Sequence, residues 1–307
     1  MSDLVVIVSV ARTPLGGFQG ELAGLTTPQL GATAIKSAVE RAGLQPEQVQ
    51  EVIMGCVLPA GLGQAPARQA ALGAGLPLSA GCTTLNKVCG SGMKATMLAH
   101  DLILAGSNDI VVAGGMESMS NAPYLLPKAR GGYRLGHGQM MDHMFLDGLE
   151  DSYAKETRGR LMGTFAEDCA GKFNFTRQAQ DEFAVASTTR AQNAINGGDF
   201  TWEVVPVTVP GRKGDVVVDK DEQPLKAQVD KIPTLKPAFK KDGTVTPANS
   251  SSISDGAAAL VLMRKSTADR LGLKPVATIV GHATHAQEPA LFTTAPVGAM
   301  QKLLAKA

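Results

Sequence analysis

The sequence predicts an α/β fold in which helices cover a mostly parallel β-sheet. Short β-branched runs such as LVVIVSVART at residues 4–13 alternate with segments whose apolar residues recur every three or four positions, such as TTPQLGATAIKSAVERAGL at 26–44. Proline and glycine separate the two kinds of segment. Because 44% of the 307 residues are hydrophobic, the chain can bury a large core. Such alternation is typical of parallel strands joined by crossover helices.

The first 118 residues show the clearest alternation. The predicted helix at 26–44 has Thr27 as its N-cap, Pro28 in its first turn and Gly43 as its stop signal. The other elements of this part are expected to be strands at 49–60, 83–88 and 109–118 and helices at 65–76 and 90–106.

The pattern changes at residue 119 and returns near residue 254. Within the intervening segment, residues 176–198 predict an amphipathic helix that begins at the N-cap Thr176 and ends at Gly197. The apolar run SDGAAALVLMRK at 254–265 is expected to rejoin the first sheet as a helix or a strand. After it, a strand is expected at 275–286 in a new layer, and a helix at 296–307.

Charge and cysteine usage exclude several classes of function. The 29 basic and 28 acidic residues give a net charge of +1, so no overall field attracts nucleic acid or an anionic membrane. Asp3 stands where a secretory signal would be positively charged, and the apolar run after it is too short to span a bilayer. The four cysteines show no spacing typical of a metal site or a dithiol motif, so we expect reduced thiols, no metal and a cytoplasmic protein.

One cysteine has a sequence environment typical of a nucleophile. Cys89 lies in NKVCGSGMKA at 86–95, directly before a predicted helix, where backbone N–H groups and the helix dipole stabilise a thiolate. Gly90 and Gly92 would let a substrate carbonyl approach the backbone, and the Cys89 amide could donate to an oxyanion. The alternative is a buried structural cysteine at a helix start.

Five motifs in order along the chain carry a family resemblance: NKVCGSGMKA, DIVVAGGMESMSNAPYLLP, GRLMGTFAED, GRKGD and NSSSISDGAAALVLM. They resemble those of the thiolases, the acetyl-CoA acetyltransferase branch in particular. The resemblance implies an αβαβα sandwich of two similar halves with an inserted loop domain. Residues 1–118 and 250–273 would form the N-terminal half, 119–249 the inserted domain for coenzyme A binding and tetramer contacts, and 274–307 the start of an incomplete second half.

The resemblance also implies a reaction. Cys89 would take an acyl group from one acyl-CoA, and a second acetyl-CoA would attack the resulting thioester, so coenzyme A thioesters are substrates and no separate cofactor is expected. Ser251 matches the serine that hydrogen-bonds the pantetheine amide, and three residues match the apolar lining of the pantetheine tunnel: Leu149, Met162 and Phe239. On sequence alone, the alternative for each of the three is an ordinary core residue, and for Leu149 and Phe239 the two interpretations have equal weight.

Basic residues for the phosphates of coenzyme A are expected in the inserted segment. The candidates are Arg212, Lys213, Lys226 and Lys231, among which we retain Lys226; any single one is also explained as a solvated surface charge. The resemblance further implies a homotetramer, a dimer of dimers, through the segment LLPKARGGYRLGHGQMMDHM.

Two departures from the family keep alternatives open. Leu161 stands where acetoacetyl-specific thiolases carry histidine, so a broader 3-ketoacyl-CoA thiolase is an alternative. The chain also ends at Ala307 before three family motifs, which supply an oxyanion-hole asparagine, a histidine base and a second cysteine. A non-catalytic, truncated thiolase-like fragment is therefore a third possibility.

Overall fold

The computed structural model describes residues 3–307, which divide into two units. The first contains the chain up to Asn121 together with 198–223 and 254–280, and the second contains 122–197, 224–253 and 281–307. The strands are β1 (Val5–Arg12), β2 (Gly16–Gly17), β3 (Glu51–Gly55), β4 (Gly81–Leu85), β5 (Ile110–Ser118), β6 (Tyr124–Leu125), β7 (Met141–Asp142), β8 (Val207–Val209), β9 (Val216–Val218), β10 (Ser254–Arg264) and β11 (Ala277–Thr278). The α-helices are α1 (Thr27–Arg41), α2 (Pro66–Gly73), α3 (Ser91–Ala105), α4 (Met162–Phe173), α5 (Arg177–Gly197), α6 (Glu222–Lys226), α7 (Lys265–Arg270) and α8 (Ala295–Lys306).

The first unit is built on a mixed sheet. Among the described residues, seven strands form it in the order β11-β1-β10-β5-β3-β4, with β2 paired to β10. Strand β3 runs parallel to β4 and β5, whereas β10 runs antiparallel to both β1 and β5. The expectation of a mostly parallel sheet is therefore corrected to a mixed sheet, because the segment that returns after the insertion enters between β1 and β5.

Glycine and alanine allow β10 to lie at the centre of the sheet. A Cβ at Gly114 of β5 would overlap the carbonyl oxygen of Ala258 in β10. Alternate residues of the buried strands point to opposite faces. Val6, Val52 and Val112 pack with helices α1 and α2, while Val111 and Leu262 pack with α3 on the other face.

Helix caps differ by one residue from the predicted positions. Thr26, not Thr27, is the N-cap of α1, and its N–H donates to Gln29 Oε1 at 2.9 Å. The Thr27 hydroxyl instead accepts the N–H of Ser118 at 2.9 Å, because a threonine in the first turn can reach the adjoining strand. At the end of α5, Gly197 is still helical, and Gly198 adopts the left-handed φ of 80° that ends the helix.

Part of the predicted insertion belongs to the first unit. Residues 198–223 return to it, where Val207 of β8 and Val218 of β9 are buried in the core beside α1. Arg12 of β1 forms ion pairs with Glu203 at 2.6 Å and Asp221 at 2.7 Å. The expected inserted domain at 119–249 is thus interrupted, since long-range burial and ion pairing hold these residues against the first sheet.

The expected boundary at 274 is also displaced. Ala277 and Thr278 pair with Ile7 and Val6 of β1, so this strand extends the first sheet and does not open a separate layer. The prediction of a new strand over 275–286 is wrong in its length and in its sheet, because only Ala277 and Thr278 form a strand and they pair with β1. The helix expected at 296–307 is confirmed as α8.

The second unit consists mainly of helices and loops. It contains α4, α5 and α8, the short hairpin of β6 and β7, and a π-helical turn at Phe145–Leu149. Within residues 3–307, no helix combines the length and the apolar character that crossing a bilayer requires.

Candidate functional site

Cys89 lies in the short connection between β4 and α3, and its side chain is exposed. Gly90 is the N-cap of α3, so the cysteine immediately precedes the cap of a 15-residue helix. Helix α3 approaches the sheet closely because glycines face it: a Cβ at Gly55 would lie 2.6 Å from the Cβ of Ser91, and one at Gly115 would contact Gly92. The predicted helix start at Cys89 is therefore confirmed.

The backbone before Cys89 forms a strained turn, which we call the elbow (Asn86–Cys89). Val88 adopts a φ of 47°, a left-handed conformation that is unusual for a β-branched residue. Asn86 Oδ1 accepts the Val88 N–H at 2.8 Å. Ser91 Oγ accepts the Lys87 N–H at 2.8 Å and donates to the Val88 carbonyl at 2.6 Å. Two side chains thus hold the elbow in the conformation that presents the thiol.

Two of the other three cysteines are poor nucleophiles in this structure. Burial raises the pKa of the Cys56 thiol to about 12, and the neighbouring Glu117 carboxylate adds to the effect. Burial also raises the pKa of Cys82, although Arg68 opposes the rise. Cys169 is half-buried in α4. Of the four, Cys89 alone is exposed, as a thiol that must meet a substrate should be.

In the second unit, the structure brings together the segments that carry Leu149, Met162 and Phe239. Leu149 ends the π-helical turn, and the next residue forms an antiparallel bridge with Leu161, which directly precedes Met162. Phe239 packs against Gly163, the residue after Met162: a Cβ at Gly163 would overlap the Phe239 ring. All three side chains are half-buried, so each retains an accessible surface.

Ser251 and Lys226 are exposed. Ser251 lies in irregular chain between Ser250, whose Oγ donates to the Thr246 carbonyl at 2.8 Å, and strand β10. Lys226 is the last residue of the short helix α6. Their roles in coenzyme A binding stay predictions.

The sequence analysis missed Ser91 and Val88, two residues that shape the site. Ser91 appears in the sequence only as the middle of a Gly-Ser-Gly, which reads as a flexible spacer. Its position directly after a predicted N-terminal glycine was the available signal, since serine at a helix start commonly hydrogen-bonds local backbone groups. The left-handed backbone of Val88 has no signal in the sequence, because valine disfavours it.

Fold and site together define an α/β protein with an accessible cysteine held by a strained turn at a helix start. The family model for the thiolase N-terminal domain matches residues 5–266. A solved structure of acetyl-CoA acetyltransferase from Syntrophomonas wolfei superposes with a TM-score of 0.94 at 40% sequence identity, covering 100% of this chain and 76% of that one. The chain therefore belongs to the thiolase family and has a thiolase fold.

Two relatives are more similar in sequence. Acetyl-CoA acetyltransferase 2 of Arabidopsis thaliana is 54% identical over 306 residues, which cover 99% of this chain and 75% of the relative. Acetyl-CoA acetyltransferase of Cupriavidus necator is 51% identical over 309 residues, which cover 100% of this chain and 77% of the relative. The chain thus spans about three quarters of each.

Proposed function

We propose that this protein is an acetyl-CoA C-acetyltransferase that carries its acyl group on Cys89. The observation that supports this most directly is the exposed thiol on the elbow before α3, in contrast to the raised pKa values of Cys56 and Cys82. The names of the Arabidopsis and Cupriavidus relatives agree with this reaction.

The acyl-transfer step exchanges one thioester for another. The Cys89 thiolate attacks the carbonyl carbon of acetyl-CoA, a new S–C bond forms, and the original C–S bond breaks to release the coenzyme A thiolate, which takes up a proton. Since the product is again a thioester, its carbonyl stays electrophilic toward the carbanion of a second acetyl-CoA. Thiolysis of a 3-ketoacyl-CoA is the reverse of this sequence.

The second unit supplies the proposed substrate contacts. Leu149, Met162 and Phe239 would line the pantetheine chain, because they are apolar and half-buried. Ser251 would hydrogen-bond a pantetheine amide, and the exposed ammonium of Lys226 would face the phosphates.

Several wider features form part of the same proposal. We infer that the protein needs no cofactor besides its coenzyme A substrates, works in the cytoplasm in fatty acid metabolism, and assembles as a homotetramer through residues 125–144. The assembly is supported by the exposed apolar side chains of that segment, such as Leu126, Leu135 and Met140.

The acyl-enzyme can be tested by intact mass. Incubation with acetyl-CoA should add one acetyl group, peptide mapping should place it on Cys89, and Cys89→Ser should abolish it because a hydroxyl is a much weaker nucleophile at neutral pH. Cys169→Ser is the matched control and should keep the adduct. An adduct that persists in Cys89→Ser would contradict the proposal. Comparison of acetyl-CoA with longer acyl-CoAs separates the specific enzyme from the broader 3-ketoacyl-CoA thiolase that Leu161 suggests.

A further inference from the structure

A loop of the second unit, which we call the Phe239 loop (236–249), is closed on itself by backbone hydrogen bonds. The Ala238 N–H donates to the Val245 carbonyl at 2.9 Å, and the Gly243 N–H donates to the Lys240 carbonyl at 3.0 Å. At the tip, Asp242 adopts a left-handed φ of 59°. The loop therefore behaves as one short hairpin-like piece that carries Phe239 on its outgoing arm.

Glu167 of helix α4 binds the returning arm of this loop. Its carboxylate accepts the Thr244 N–H at 2.8 Å, the Val245 N–H at 2.7 Å and the Thr244 hydroxyl at 3.1 Å. The residue is buried, with 7% of its surface exposed. A Cβ at Gly243 would overlap the carboxylate, so a residue other than glycine at this position would push the loop backbone away from Glu167. One side chain thus satisfies three donors of the loop.

The carboxylate is ionised at neutral pH. Burial alone would raise the pKa of Glu167, but the N–H groups of Thr244 and Val245 and the Thr244 hydroxyl outweigh burial and lower it, and Lys240 lowers it further. Hydrogen bonds to a charged acceptor are stronger than those between neutral groups. The hydrogen bonds from the Phe239 loop to Glu167, which we call the clamp, are therefore made to an ionised carboxylate at neutral pH.

The same helix holds the loop at a second point, one turn earlier. Gly163 and Glu167 are four residues apart and so share one face of α4. The ring of Phe239 occupies the space where a Cβ at Gly163 would stand. Gly163 is the second residue of α4, a helix position that alanine would also suit, so the contact with the ring accounts for the glycine there. Met162 directly precedes Gly163 in α4, and its side chain is half-buried.

We propose that Glu167 is a positioning residue for acyl-CoA, which holds Phe239 against Gly163 and so completes the apolar surface beside Met162. The inference rests on the proposed function and deepens it, since it assigns part of the substrate affinity to a residue that does not touch the substrate. Loss of the clamp should weaken binding of the pantetheine chain and leave the chemistry at Cys89 unchanged.

Two variants of the purified protein test the clamp, with one control. Glu167→Gln keeps the shape but replaces an acceptor oxygen by a donor NH2, and Gly163→Ala displaces Phe239 without changing the carboxylate. Glu182→Gln is the control, because Glu182 is exposed on α5, where its carboxylate accepts a hydrogen bond from the Gln178 side chain of the same helix. Hydrogen exchange at the Thr244 and Val245 amides should become several-fold faster in Glu167→Gln and stay unchanged in the control.

Kinetics of acetyl transfer onto Cys89 give the second measurement. For Glu167→Gln, we expect KM for acetyl-CoA to rise by about tenfold, the scale of one lost charge-assisted hydrogen bond. For Gly163→Ala, we also expect KM to rise, because the added Cβ displaces the Phe239 ring. The rate at saturation should be unchanged in both variants. Gly163→Ala should retain or gain thermal stability, which separates positioning from general damage to the fold. An unchanged KM in both variants, while the unaltered protein acylates normally, would overturn the inference and leave the proposed function intact. Failure of the unaltered protein to acylate would refute the proposed function itself.

Discussion

Replacing Ser91 with alanine should slow acylation of Cys89 by releasing the strained backbone that precedes it. The Ser91 hydroxyl accepts the Lys87 N–H at 2.8 Å and donates to the Val88 carbonyl at 2.6 Å, so alanine removes both hydrogen bonds that Ser91 makes with the elbow. Ser91 is buried, and alanine fills almost the same volume. The substitution therefore changes the hydrogen bonding of the turn with little effect on packing.

The expected magnitude follows from the conformation of Val88. A left-handed backbone costs a residue other than glycine about 1–2 kcal/mol, and the φ of 47° at Val88 stores this strain. If the elbow relaxes by that amount once Ser91 is removed, the reactive geometry becomes about 5–30-fold less populated. Two lost hydrogen bonds should also lower the free energy of unfolding by about 1–3 kcal/mol.

The assay is the rate of acetyl-adduct formation by mass spectrometry, with Thr96→Ala as the matched control. The Thr96 hydroxyl donates to the Gly92 carbonyl at 3.1 Å in the same helix but does not contact the elbow. A Val88→Gly background completes the test, because glycine adopts a positive φ without strain and should suffer much less from Ser91→Ala. Equal slowing in both backgrounds would refute the argument that Ser91 acts through the strain at Val88.

Two further predictions concern thiols and glycines. Iodoacetamide should label Cys89 before the other cysteines, and labelling of Cys56 should stay negligible up to about pH 9, because burial raises its pKa to about 12 and keeps it a thiol; peptide mapping checks the order. Gly114→Ala should abolish soluble expression, because its Cβ would overlap a backbone carbonyl of β10. In contrast, a Cβ at Gly171 in α4 meets nothing within 4 Å, so Gly171→Ala should raise the free energy of unfolding by up to about 1 kcal/mol. Normal folding of Gly114→Ala would contradict the close packing of β5 and β10.

The local parts of the fold were predictable from sequence, because they depend on periodicity and on helix signals. Helices α1, α2, α3 and α5 lie within or close to their predicted ranges, and β5 matches within one residue. The run that became β10 stayed ambiguous between helix and strand. Its alanines favour a helix, and a strand buried on both faces has no alternation to distinguish it.

The long-range parts were not predictable from the same patterns. Arg12 pairs with Glu203 and Asp221, which are 191 and 209 positions away, and no local signal in the segment 198–223 indicates that it returns to β1. Likewise, the segments near Leu149 and Met162 meet through the bridge between Glu150 and Leu161 and the hydrogen bond from the Asp151 N–H to the Arg160 carbonyl, which periodicity cannot reveal. For the candidate site, the sequence therefore predicts the thiol and the resemblance implies the apolar residues, whereas the side chains that hold their segments are seen only in the structure.

The location of the thiol depends on the sheet more than on the loop that contains it. Helix α3 rests on Gly55 and Gly115 through Ser91 and Gly92, so a larger residue at either strand position would lift the start of the helix. Strands β3 and β5, which carry those glycines, are neighbours in the sheet, and β5 is fixed on its other side by β10. The sheet therefore determines where α3 begins, and the elbow determines that Cys89 is exposed at that position. For this reason we expect substitutions in the elbow to change the reactivity of the thiol, and substitutions beneath α3 to destabilise the fold.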